Sequence, residues 1–426
     1  MLKRSHVIAG ALVFAAGVIS AGTAGAETKS QIALANSCYQ AFENQKYDEA
    51  LKACLVASDQ GDAVSSNLLG AMYENGYGVE QDFSRAFDYY KKAAEKELPE
   101  ALNNLADLYQ KGQGVDKNPD DARFYYAKAA RMGDPNAGIA MYRLLMDKSS
   151  PEYSPQEAHR YLEVAADGGY PEAQYLLGKE LLSQGDSDKA VEYLEKATKG
   201  NFVLAFVSLA DVYLKGKDPQ KAAELYLKAS NEGNAEGSLK LAQMYLNGEG
   251  VKKDDAQAFH FFGQAANQGS VEGKTQMGLL LIQGQGTEKN VEEGLKLLEE
   301  AAVADVTSEA ILADELYSGE KIPQNLEEAY RHYTSCALKT EVSCQRMVGK
   351  MLTEGEGIPR DPNYGISWLE KAADQNYIPA ILDLGEIYYS DKYNHQDFET
   401  SKRYFRLASE LGNQEATEIM LTRDFK

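Results

Sequence analysis

The sequence predicts an all-α protein, a right-handed α/α superhelix (a solenoid) of about eleven helical hairpins. Three observations carry that expectation. A segment returns about every 36 residues: Leu69, Tyr73, Gly76, Gly78 and Val79 reappear as Leu105, Tyr109, Gly112, Gly114 and Val115, then as Leu241, Tyr245, Gly248, Gly250 and Val251. Within each recurrence the small and apolar residues fall at helical spacing, as in Ala173, Leu177, Gly178 and Leu181. Between two such helical patterns stands a Gly-x-Gly, and glycine ends a helix without steric cost. A period of this length marks stacked supersecondary units, none of which buries its apolar face alone. Stacking also frees a long chain from the size limit of a single core.

The elements follow in chain order. Lys3 and Arg4, an apolar run from Val7 to Ile19 and Ala24-Gly25-Ala26 read as a signal peptide over residues 1–26. The run is short for a membrane span, which counts against an uncleaved anchor and for no stable membrane insertion after cleavage. Residues 27–64 read as a first hairpin, with Ala41, Tyr47, Ala50 and Ala57 at its small and aromatic places. Ten units then begin at Ser65, Ala101, Ala137, Ala173, Ala205, Gly237, Gly273, Glu309, Cys344 and Ala380 and fill residues 65–415. In the first helix, small residues recur at position one, Leu at five and Gly or Ala at six, where a partner helix must come close. The second carries patterns such as Ala86, Tyr90 and Ala93. Asp82, Asp120 and Asp254 stand near second-helix starts, where a carboxylate caps and suits the dipole. The units at Ala173 and Ala205 are 32 residues long and lack the Gly-x-Gly. Residues 416–426 read as a cap and tail.

Units of the form A-x-x-x-L-G-x-x-Y-x-x-G-x-G-V followed by A-x-x-x-Y-x-K-A-A closely resemble Sel-1-like repeats, and the short units and the first hairpin resemble tetratricopeptide repeats. The resemblance is looser at Ala137, Glu309 and Ala380, where loop glycines are missing or displaced. It implies an all-α solenoid acting as an adaptor or scaffold. For secreted bacterial members it implies service in the cell envelope or contact with host proteins.

Four cysteines in an exported chain invite pairing, with four buried thiols as the competing reading. Cys336 takes a place held elsewhere by Ala93, Ala129 and Ala165, and Cys344 takes position one. These small positions face each other where one unit's second helix crosses the next unit's first, so Cys336–Cys344 is expected. The spacing also resembles that of cysteine-rich relatives. Cys38 and Cys54 lie at similar distances from the turn of the first hairpin, on opposite arms, and form the other expected pair.

Composition argues against several function classes. The chain has 44 Lys and Arg against 65 Asp and Glu, a net charge of −21 that becomes −23 without Lys3 and Arg4. Such a balance repels nucleic acid and anionic lipid. No glycine loop runs directly into a Gly-Lys-Ser/Thr, so they are not phosphate loops. His159, His260, His332 and His395 are scattered over different units, which gives no metal site, and no nucleophile motif occurs. No cofactor and no catalytic residue is expected, and the chain reads as not an enzyme.

Function should then lie on the concave face. By analogy with tetratricopeptide solenoids, first-helix positions three, seven and ten line it. Position three reads Ile139, Tyr175, Val207 and Leu239 in the middle units, and position ten reads Met146, Leu182, Leu214 and Leu246. Position seven adds Arg143, Lys179 and Asp211. An exposed apolar stripe of that length marks a docking site for a partner helix or extended segment. The alternative is that position ten turns inward and packs beneath the loop. The reading is an exported, non-catalytic scaffold that binds a protein partner, periplasmic in a Gram-negative bacterium. The alternatives are a secreted or surface-exposed protein engaging a host factor, and an envelope enzyme or its activating subunit acting on cell-wall glycan.

Overall fold

A computed structural model describes residues 26–425. The signal-peptide reading falls almost wholly on residues outside these. Among the described residues the regular structure is helical throughout, with 23 α-helices, one 3-10 turn and no strand. The chain divides into two compact units, Met1–Ser208 and Leu209–Lys426.

In the first unit the helices pair as α1 (Ala26–Glu43) with α2 (Tyr47–Asp59), α3 (Ala63–Asn75) with α4 (Phe83–Ala94), α5 (Pro99–Lys111) with α6 (Pro119–Arg131), α7 (Pro135–Leu145) with α8 (Pro155–Asp167), and α9 (Pro171–Gln184) with α10 (Ser187–Lys199). Helix α11 (Val203–Lys215) contains the division. The second unit continues with α12 (Pro219–Asn231). Its pairs are α13 (Ala235–Asn247) with α14 (Asp255–Asn267), α15 (Val271–Gln283) with α16 (Val291–Ala304), α17 (Val306–Ser318) with α18 (Leu326–Leu338), α19 (Val342–Glu354) with α20 (Pro362–Ala373), and α21 (Ile378–Tyr389) with α22 (Phe398–Glu410). Helix α23 (Gln414–Thr422) packs on α22. This is a helical-repeat solenoid of hairpins.

Local chemistry explains the helix ends. Gly76, Gly112 and Gly248 close α3, α5 and α13 in the left-handed region, with φ near +70°. Asp82 and Asp254 cap α4 and α14 by accepting backbone N–H bonds. At α6 the cap is Asn118, not Asp120, whose own N–H donates to the Asn118 side chain. Pro119 occupies the first helical turn and places Asn118 one residue outside it.

Inside a hairpin the small position six is a steric requirement. A Cβ built on Gly278 would lie 2.9 Å from the Gly294 carbonyl oxygen, and one on Gly294 would lie 2.7 Å from that of Gly278. The second loop glycine makes the tightest approach, onto the preceding hairpin. A Cβ at Gly114 would sit 2.1 Å from the Phe83 carbonyl oxygen at the start of α4, and one at Gly250 would sit 2.2 Å from that of Pro219. The loop therefore rests directly on the neighbouring second helix, which locks consecutive hairpins in register.

Cys38 is bonded to Cys54 across the first hairpin, with Cα atoms 4.8 Å apart. Cys336 is bonded to Cys344 between α18 and α19, with Cα atoms 5.9 Å apart. All four residues are fully buried.

Candidate functional site

The candidate residues stand on first helices, save Met146, which directly follows α7. Ile139, Arg143, Met146, Tyr175, Lys179, Leu182 and Val207 belong to the first unit, and Asp211, Leu214, Leu239 and Leu246 to the second. Helix α7 starts at Asp134, which is buried and accepts the Ala137 N–H at 2.7 Å. Burial pushes the Asp134 carboxyl up to about 6. The Ala137 N–H opposes that rise, and Glu100 and Asp107 add to it.

At position three, Ile139 and Val207 do not present a surface. Ile139 is 3% exposed and Val207 4% exposed, so the expectation of an open apolar stripe through both is corrected. Ile139 packs with Leu162, Ala165, Ala173 and Leu177, filling the seam between the α7–α8 and α9–α10 hairpins. The same register position carries seam bonds elsewhere. Asn104 donates to Asn67 at 3.0 Å, the hydroxyls of Thr275 and Ser308 lie 2.9 Å apart, and Arg346 grips Asp383. Tyr175 is half-buried there, its ring 5.1 Å from that of Phe202.

Position seven is the open one in the middle of the first unit. Arg143 is exposed and holds both oxygens of Glu172, at 2.6 and 2.7 Å, across the α7–α9 step. Lys179 is exposed one unit further on. At position ten Met146 is 37% exposed, while Leu182, Leu214 and Leu246 are half-buried, as is Leu239 at position three. The first-unit surface is thus the Arg143–Glu172 ion pair and the exposed Lys179, flanked by Met146 and Leu182.

One repeated feature is not evident in the repeat register. Buried second-helix tyrosines send their hydroxyls to first-helix carboxylates: Tyr90 to Glu74 at 2.6 Å, Tyr226 to Asp211 at 2.5 Å, Tyr333 to Asp314 at 2.6 Å, and Tyr126 to Asp107. Asp211 is therefore engaged from within its own unit. Burial, then the bonded carboxylate, raises each of these phenols above its ordinary range. A carboxylate 15–19 residues before a repeat tyrosine is the signal that could have located these bonds.

Among the described residues no group of three or more His, Cys, Asp or Glu could hold a metal ion, and no helix is long and apolar enough to cross a membrane. Paired helices with an open first-helix face define the class as a helical-repeat protein, a fold that supports protein–protein interaction. The chain belongs to the Sel1 repeat family, whose profile matches residues 63–98, 99–134, 138–170, 235–270, 271–302, 307–338, 342–377 and 378–413. A tetratricopeptide repeat profile matches residues 175–238, across the short units. Among solved structures the chain is similar to c5321, described as a protective antigen present in uropathogenic Escherichia coli strains and displaying the same repeat fold. The two are 26% identical with a TM-score of 0.74, over 92% of this chain and 86% of that one. A Sel1 repeat protein from Oxalobacter formigenes is 25% identical over 79% of this chain and 90% of its own, with a TM-score of 0.41. No curated protein matches the chain in sequence.

Proposed function

We propose that this chain is an exported, non-catalytic scaffold of the bacterial cell envelope that holds a protein partner on its first-helix face. The observation that carries this reading is the surface at Arg143, Met146, Lys179 and Leu182, which combines charge with part-exposed apolar side chains at consecutive first helices. Export is supported by the leader-like start and by two buried disulfides, which persist in oxidising compartments. The periplasm suits both features. The net charge of −21 disfavours nucleic acid as the partner.

A photo-crosslinking residue at Lys179, compared with one at the exposed second-helix residue Lys91, tests the assignment in cells. The reading expects a discrete protein trapped at Lys179 and absent at Lys91. Identical patterns at both positions would overturn it.

A second reading is favoured by the likeness to c5321. A protective antigen is accessible to a host, so release or surface exposure, with a host factor as partner, is the alternative location and partner class.

A further inference from the structure

The third repeat carries a second surface, on its second-helix side. Its loop, residues 146–154, has the usual length but no glycine. Ser150 stands at the register place of Gly114, 36 residues earlier. Any Cβ at that place meets the backbone of the neighbouring helix when the loop sits down in the usual way, as the 2.1 Å approach at Gly114 shows. A cleft of about 640 Å³ opens beside this loop, between α6 and α8. Its volume falls in the range of ligand sites.

Phe124, on α6, lines the cleft and is 61% exposed. The equivalent second-helix position, five residues before the repeat alanine, is polar in the other units (Asp88, Arg160, Glu192, Glu224, His260 and Lys296 among them). A large ring at an otherwise solvated place loses hydrophobic stabilisation unless something covers it. Met132 and Tyr153 are also more than one-third exposed, so three large apolar side chains outside the first-helix face stand open within residues 124–153.

The charges are sorted along the cleft. Asp120, Glu152 and Glu157 lie at the end where α6 and α8 begin, and Lys128 and Arg131 at the end where α6 stops. Arg123 at the acidic end is already held by Asp120 and Glu152, and Lys128 by Glu97. Arg131 and Glu157 have no ion-pair or hydrogen-bond partner among the described residues and are exposed. From Asp120 to Arg131 the helix advances about 16 Å, the span of roughly five extended residues.

We propose that this cleft binds an extended segment of a partner protein, about five residues long, with a basic side chain at one end, an acidic one at the other and an apolar one between them over Phe124. The site lies apart from the first-helix face and does not depend on it.

The test uses the full mature chain and two labelled probes, acetyl-Lys-Ser-Leu-Ser-Asp-amide and the same residues in reverse order, followed by fluorescence anisotropy. One order should bind saturably. Arg131→Glu and Phe124→Ala should each weaken it at least fivefold with unchanged circular dichroism. A probe with Lys at both ends should bind the Arg131→Glu chain better than the original chain, which a merely structural effect would not produce. Lys179→Glu should leave probe binding unchanged. Absence of saturation by both orders at millimolar concentration overturns the proposal, as does indifference to Arg131→Glu and Phe124→Ala. Loss of binding on Lys179→Glu would move the probe to the first-helix face and overturn it too.

Discussion

The Tyr226 hydroxyl donates a 2.5 Å hydrogen bond to Asp211 while its ring is fully buried. The tyrosine fills the hairpin core and ties it to a carboxylate on the first helix. Hydrogen bonds to charged groups contribute about 1.5–3 kcal/mol, and half-exposed Asp211 can recover water when the bond is lost. Tyr226→Phe should therefore cost about 1–2 kcal/mol in urea unfolding.

The tyrosines also set an alkaline limit. Tyr90, Tyr126, Tyr226 and Tyr333 have phenols raised above the value of 10.0 expected in the unfolded chain. The folded state holds these protons more tightly. Their contribution is complete below pH 10 and is lost as pH climbs beyond it. Urea midpoints should stay level from pH 8 to 9.5 and fall steeply by pH 11, less steeply in Tyr226→Phe.

Asp134 predicts the opposite of a usual carboxylate. Its folded value of about 6 exceeds the ordinary 3.8, so the folded state favours the protonated form and stability drops as pH rises from about 4 through 6. Asn keeps a good helix cap without the charge. Asp134→Asn should match the original chain near pH 4 and exceed it by about 1–2 kcal/mol at pH 7, since a tenfold change in proton affinity is worth about 1.4 kcal/mol and some dipole stabilisation is lost.

Two glycines with similar backbones should respond differently to alanine. Gly114 has φ +70° and a 2.1 Å approach to the Phe83 carbonyl oxygen, while Gly133 has φ +91° and open space around it. Gly133→Ala should cost about 1–2 kcal/mol from φ alone. Gly114→Ala adds a backbone clash and should cost more than about 3 kcal/mol.

Each disulfide closes a short loop, with partners 8 and 16 residues apart. By the loop-entropy model each contributes about 2–3 kcal/mol. Cys336→Ala with Cys344→Ala puts small residues where other units already carry them. Its unfolding free energy should therefore fall by about that amount, and its further loss on adding reductant should be smaller than that of the original chain.

The hairpins were legible because their signal is redundant. Most units repeat the same small, Leu and Tyr places, and Cys336 and Cys344 stand in that register at facing positions. The outer faces were harder to read, for a geometric reason. One residue turns a helix by about 100°, enough to carry position three from open surface into the seam. Composition does not separate the two, since Asn67, Thr275 and Arg346 serve the seam as Ile139 does. The tyrosine bonds were hidden because their acceptors sit at varying first-helix places, Asp107 and Asp211 at position seven but Glu74 at ten. Phe124 was visible as an exception to a polar column, but only alignment on the second helix rather than the first brings it out.

The most direct measurement of the central claim, that position seven meets the partner while position three holds the stack, compares two variants for affinity to the protein trapped at Lys179. Lys179→Glu with Met146→Glu alters exposed residues, and Val207→Ala alters a buried one. The account predicts that the double variant loses at least tenfold in affinity with an unchanged melting temperature, while Val207→Ala melts earlier but binds as before. Full affinity in the double variant, or lost affinity in folded Val207→Ala, would contradict it.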